Sequence, residues 1–136
     1  MTTSKSTILA NLDPFTRSYL ETALWASTEY DADGNMGESL DENYSLEDFT
    51  IEALLAARKD CIDFQRANET ALAAAYASEY GYSESGAGHD FWLTRNRHGA
   101  GYWDRSIGEA GKTLTEAAHV YGSVDLYVCK GKVGGC

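Results

Sequence analysis

At 136 residues, 43% of them hydrophobic and 24% charged, the chain has the size and makeup of one globular domain, and no apolar run approaches the roughly 20 residues needed to span a bilayer. Its net charge of −10 disfavours direct nucleic-acid binding, because affinity for a phosphate backbone comes from Lys and Arg displacing counterions. The three cysteines, Cys61, Cys129 and Cys136, are widely spaced and form no C-x-x-C pair, so reduced thiols are expected rather than a zinc ribbon or a disulfide framework.

The start of the chain, Met1-Thr2-Thr3-Ser4-Lys5, lacks the apolar core of a signal peptide, and a cytoplasmic location is expected. Residues 1–12 read as a loose arm on a single domain of residues 1–136. Asp13-Pro14 then opens a helix, with Asp as N-cap and Pro at the first helical position, where its missing N–H costs nothing. Phe15, Tyr19, Ala23 and Ala26 fall on one face of it, widened by Leu20 and Leu24, with Trp25 at its flank. Residues 30–45 are acidic and turn-rich. Ser45-Leu46-Glu47-Asp48 has the pattern of a cap with an acid at the third position, and Thr50 can cap a longer helix from Ile51. That helix carries Ile51, Leu55, Ile62, Leu72 and Tyr76 as its stripe, is alanine-rich over residues 69–79, and should stop by Gly81.

A Gly/Ser loop follows. Residues 91–95 predict a strand from their aromatic and apolar content, Asn96-Arg97-His98-Gly99 a turn, and residues 100–104 the returning strand. Thr113 and Glu116 suggest a capping box opening a short helix to about Tyr121, and residues 124–128 a third strand. The expected class is therefore α+β, with N-terminal helices packed on a small antiparallel sheet made of the hairpin and the C-terminal strand. If residues 124–128 formed an unpaired edge, a homodimer would be open to the chain.

Charge is unevenly placed. No Lys or Arg occurs from Ser18 to Ala57, a span holding ten acidic residues, among them Asp41, Glu42, Glu47 and Asp48. Such a face favours solubility or a basic protein partner reached by electrostatic steering. Asp31, Asp33, Asn35 and Glu42 occupy EF-hand positions, but Met36 stands where that loop requires Gly, so calcium is not expected and the stretch reads as a polar turn.

The densest stretch is residues 88–105, which holds two of the three histidines, two of the three tryptophans and three of the six arginines. Its candidate binding residues are His89, Asp90, Trp92, Arg95, Arg97, His98, Trp103, Asp104 and Arg105. Four readings stand side by side. The aromatics can be core, or Trp, Tyr and Arg can form a hot-spot surface that grips carboxylates or phosphates. His89, His98, Asp90 and Asp104 are acid/base or ligand types, though without H-x-H, H-E-x-x-H or C-x-x-C spacing. A small ligand such as a nucleotide can stack on an aromatic ring. No catalytic residue, metal ligand or cofactor is assigned from the sequence.

Phe15-Thr16-Arg17-Ser18-Tyr19, Leu24-Trp25-Ala26-Ser27-Thr28, Asp41-Glu42-Asn43-Tyr44-Ser45, His89-Asp90-Phe91-Trp92-Leu93-Thr94-Arg95-Asn96 and His98-Gly99-Ala100-Gly101-Tyr102-Trp103-Asp104 together resemble a family of small proteins encoded by phages, prophages and related elements. The resemblance runs from about Asp13 to Val128. In that family Gly often stands where this chain has Arg97, and an acidic Gly-rich turn where it has Cys129-Lys130-Gly131-Lys132. The resemblance implies context rather than mechanism. Joined to the acidic segment, it leads to the expectation of an accessory protein that binds and modulates a host protein, such as a defence or nucleic-acid enzyme, by imitating phosphate charge. The alternative is a small enzyme or ligand-binding protein using His89, Asp90, Arg95, His98 and Asp104.

Overall fold

The computed structural model describes residues 4–30, 33–78, 81–98 and 101–134. Six helices occupy most of it: α1 (Lys5–Ala10), α2 (Pro14–Ala26), α3 (Ile51–Ala67), α4 (Glu69–Ser78), α5 (Glu84–Arg95) and α6 (Glu109–Val120). Two small antiparallel sheets complete an α+β fold, one pairing β1 (Thr28–Tyr30) with β2 (Met36–Ser39), the other β3 (Val128–Cys129) with β4 (Lys132–Val133).

The expected caps form. The Asp13 side chain accepts from the Thr16 amide ahead of Pro14, and Thr50 Oγ1 accepts from the Ala53 amide. Ser45 and Asp48 make the reciprocal bonds of a capping box around the 3-10 turn Leu46–Asp48. The single long helix expected after Thr50 is instead divided at Asn68, whose side-chain amide and backbone N–H both donate to the Phe64 carbonyl and so end α3. Residues 5–10, expected within a loose arm, form α1 because Ser4 caps it and Ile8 is buried.

The largest correction concerns residues 91–104. No hairpin forms there: residues 91–95 are the last turns of α5, and Tyr102–Asp104 is a 3-10 turn. α5 buries eight of its twelve residues, including Asp90 and Arg95. A helix enclosed on nearly every side shows no amphipathic period, so its aromatic content mimics a strand. The Asn96-Arg97-His98 turn is real but ends a helix. The Arg97 amide donates to the Thr94 carbonyl and the His98 amide to the Leu93 carbonyl, a Schellman motif with Arg97 at φ 57° in its left-handed position. α6 starts at Glu109, four residues before the expected Thr113 box, with Gly108 at φ 62° as its N-cap. Residues 124–127 are not a strand; of the expected strand only Val128 is one, paired in β3 with β4. The EF-hand pattern lies on the β1–β2 hairpin rather than between two helices; its Asp31 lies outside the described residues.

The buried side chains make one cluster in which α2 packs chiefly on α5. Gly88 sits at the crossing of the two helices, where a Cβ would overlap the Phe15 carbonyl oxygen. Phe64 of α3 stacks on Phe91 of α5 at 4.2 Å between ring centroids, with Phe15, Tyr19, Tyr102 and Tyr121 around the pair. Cys61 is free and buried, whereas Cys129 is in a disulfide, contrary to the reduced thiols expected from spacing. Spacing carries no signal here because the fold, not the sequence, brings sulfurs together. Among the described residues no helix is long and apolar enough to cross a membrane.

Candidate functional site

Three of the nine dense-stretch candidates are buried, and two of these are structural ties. Asp90 is 1% exposed and accepts from every side. The Tyr82 hydroxyl donates to its Oδ2 at 2.7 Å, Arg105 donates from Nε and Nη2 at 2.9 and 3.2 Å, and His89 Nδ1 lies 3.1 Å from Oδ1. Burial opposes ionisation of Asp90, but the hydrogen bonds from His89, Arg105 and Tyr82 outweigh it and hold the carboxyl below its ordinary value. An ionised Asp90 can only accept, so His89 Nδ1 must carry the proton. Burial, with Asp90 beside it, pushes the Tyr82 phenol well up. Arg105 lies over the Tyr82 ring at 5.2 Å, and His89 is 6.0 Å from the exposed Trp25 ring.

Arg95 is 3% exposed and just as fully engaged. Its Nε donates to the Gly122 carbonyl, its Nη2 to the Tyr121 carbonyl, and its Nη1 to the Tyr19 hydroxyl at 3.0 Å and Asp60 at 2.9 Å. It also lies over the Phe91 and Tyr121 rings. Burial raises the Tyr19 phenol despite the opposing charge of Arg95. A guanidinium buried in this way, with four of its five N–H donors spent within the fold, is not a surface grip for a partner's carboxylates. Sequence reasoning gave Arg95 a surface role and missed Asp60, Tyr82 and Ser123, whose connections to it or to Asp90 are all non-local.

Trp92 is the exception among the buried candidates. It is 3% exposed, and its indole Nε1 is the one buried side-chain polar atom among the described residues without a hydrogen-bond partner. Trp92 and His98 line the same cavity, which neither His89 nor Arg95 reaches. Arg97, Trp103 and Asp104 are exposed. The Tyr102–Asp104 turn is locked onto α5, since the Tyr102 hydroxyl donates to the Ala87 carbonyl and its amide donates to Thr94 Oγ1 at 3.1 Å.

Of the acidic candidates, Asp41 and Glu47 share a groove with Glu21 and Arg17 of α2, and Glu42 is exposed nearby in sequence. Asp41 accepts from the Ser39 hydroxyl at 2.6 Å. Asp48 is committed to the Ser45 cap at 2.9 Å and so serves the fold first. Among the described residues no group of three or more His, Cys, Asp or Glu is placed to hold a metal ion. Burial pushes the Cys61 thiol well up, which makes it a poor nucleophile.

The hairpin carries a surface that the sequence did not flag. Tyr30 and Met36 are cross-strand partners, 62% and 74% exposed. Tyr127 and Tyr30 line one shallow groove with Glu29, and Tyr127 is 56% exposed. No protein-family model, curated protein or solved structure matches this chain.

Proposed function

We propose that this chain is a non-catalytic binding protein that docks a basic surface of a protein partner through the β1–β2 hairpin and the acidic groove beside α2. The observation that carries this reading is the pairing of exposed apolar side chains with a preponderance of acidic ones, against which Arg17 and Lys5 are the basic groups nearby. Trp25, Tyr30 and Met36 stand in solvent on a segment that has no Lys or Arg and ten acidic residues. Aromatic anchors beside charge are the chemistry of an interface hot spot, and an excess of one charge speeds encounter with an oppositely charged partner. The dense stretch serves this reading from beneath, since Asp90 and Arg95 hold α5 and its neighbours in place. In this proposal the chain is a phage or mobile-element accessory protein acting on a host protein, and its acidic groove imitates phosphate toward a nucleic-acid or defence enzyme.

The test is affinity capture from host lysate at low and high salt, with the native chain and two variants. One variant reverses Asp41, Glu42 and Glu47 to Lys, sparing the capping Asp48; the other is Trp25→Ser with Tyr30→Ser. A single host protein that is retained at low salt, released at high salt and lost in both variants supports the reading. Retention that neither variant weakens sinks it.

A further inference from the structure

Two openings flank β1. One is a cavity of about 300 Å³ that Ser27, Thr28 and Tyr30 line together with residues 123–126. The other is the groove that Thr28, Glu29 and Tyr30 line together with residues 126–128. We propose that this slot takes an extended, basic segment of a protein partner, which adds to β1 as a third strand of the β1–β2 sheet. The inference rests on the protein-binding reading above and deepens it, because it names the part of the partner that the hairpin holds.

Three observations carry the proposal. First, the backbone leaves the outer edge of β1 open. The Leu40 amide donates to the Ser27 carbonyl at 2.9 Å, and Thr28 stands opposite Ser39 in the same register. Hydrogen-bonded and non-hydrogen-bonded residues alternate in an antiparallel pair, so Thr28 is of the second kind and its N–H and C=O point away from β2. The irregularity that follows keeps this alternation. The Glu29 carbonyl oxygen lies on the β2 side, 3.0 Å from where a Cβ on Gly37 would stand, so the N–H and C=O of Tyr30 turn outward again. The sheet has two strands, and among the described residues no backbone hydrogen bond joins β1 to residues 123–128. Such an edge is a row of donors and acceptors with which a further strand can pair. Second, the facing wall is anchored. The Val124 amide donates to Asn96 Oδ1 at 2.8 Å, and the Gly134 amide to the Tyr127 carbonyl at 2.9 Å. An entering segment therefore meets a preformed wall, and little ordering cost is left to binding. Third, charge selects the segment. Asp125 lines the cavity and Glu29 the groove, and among the described residues no Lys or Arg lines either. A strand with Lys or Arg side chains meets one acid in each opening, whereas an acidic strand is repelled.

The experiment titrates the ¹⁵N-labelled native chain with three end-blocked peptides: Lys-Val-Lys-Val-Lys, the same peptide methylated on every backbone nitrogen, and Glu-Val-Glu-Val-Glu. The expected result is that the first peptide shifts the Thr28 and Tyr30 amide signals in a saturable way while the other two leave them in place. Thr28→Pro should bind the first peptide about fivefold more weakly, the loss of one main-chain hydrogen bond. That variant spares the hairpin, because the Thr28 N–H points outward and Ser27, at φ −104° and ψ 147°, already has the extended backbone that a following proline requires. No shift of the two amides at millimolar peptide overturns the proposal, as does an equal shift by the methylated or the acidic peptide. A native chain that sediments as a dimer with both amides already protected also overturns it, since a second copy then holds the edge. If Thr28→Pro does not fold, the methylated peptide decides alone. In the lysate capture Thr28→Pro keeps every side chain of the proposed surface, so it separates the two claims. A partner lost from this variant supports the edge. A partner that it retains in full, but that the side-chain variants lose, overturns the edge and leaves the protein-binding reading standing. Capture of nothing by the native chain counts against that reading, while the peptide shifts still decide the edge.

Discussion

The seam between α2 and α5 buries an aspartate and an arginine, while the β1–β2 hairpin leaves a tyrosine and a methionine in water. Each arrangement inverts the usual preference, and the two inversions have different causes. In the seam, every polar atom of Asp90 and Arg95 that burial would strand is given a partner, so the charges become ties with fixed geometry. On the hairpin, the apolar groups have nothing to pack on, and their exposure is what a partner would use. The lesson is that a cluster of His, Arg, Asp and Trp in a sequence can mark the scaffold, while the recognition surface sits on a plainer stretch.

This contrast can be broken most forcefully at Arg95. Arg95→Met should lower stability by about 4 kcal/mol, since it removes four hydrogen bonds and leaves the Tyr19 hydroxyl and two loop carbonyls without their donor. Urea denaturation followed by circular dichroism measures it, and a loss under about 1 kcal/mol would show that the seam tolerates a neutral replacement. Gly88→Ala should cost about 3 kcal/mol, because the new methyl must displace the backbone of Phe15 rather than a flexible side chain.

At Asp90 the contrast becomes pH-dependent. Its carboxyl ionises more readily folded than unfolded, so its stabilising contribution is in full force above the unfolded value near pH 4 and is lost as pH falls through the lower folded value. Asp90→Asn should therefore cost about 2 kcal/mol at neutral pH, and its urea midpoint should fall less steeply than that of the native chain on acidification below about pH 4. Equal acid slopes would place the acid lability elsewhere.

Arg97→Gly should act in the opposite direction and add about 1 kcal/mol, because the left-handed C′ position of the α5 Schellman motif penalises any residue with a Cβ. A thermal melt of this one variant measures the gain. The smallest expected change is on the acidic groove. Reversal of Asp41, Glu42 and Glu47 to Lys should move stability by no more than about 0.5 kcal/mol while abolishing partner capture, which separates surface from scaffold.

Local signals were legible in the sequence wherever the structure is locally determined. Asp13-Pro14, Ser45 with Asp48, and Thr50 each start an element through bonds within three residues, so their side chains announce them. α5 was not legible, because what fixes it is distant: Phe15 against Gly88, Tyr19 and Asp60 on Arg95, and Arg105 on Asp90. The same holds for α6, where the Thr113 and Glu116 pattern suggested a start but the glycine at 108 supplied one earlier. For the candidate site, residue types were read correctly and their roles were not. Burial decides whether an arginine grips a partner or its own fold, and burial of α5 depends on α2 and α3, whose Tyr19 and Asp60 lie 76 and 35 residues from Arg95 in the chain.

The Tyr19–Arg95 hydrogen bond also bears on how the chain finds its fold. It joins residues 76 apart, so the seam can close only after a long loop has been drawn in, and that entropy must be met before its contacts repay it. A chain this rich in helix would be expected to fold quickly on local contacts alone. The seam sets a slower pace, with helices forming first and α2 meeting α5 afterwards. Stopped-flow folding of Tyr19→Phe should accordingly speed unfolding and leave the refolding rate nearly unchanged, the mark of a tie made on the native side of the barrier.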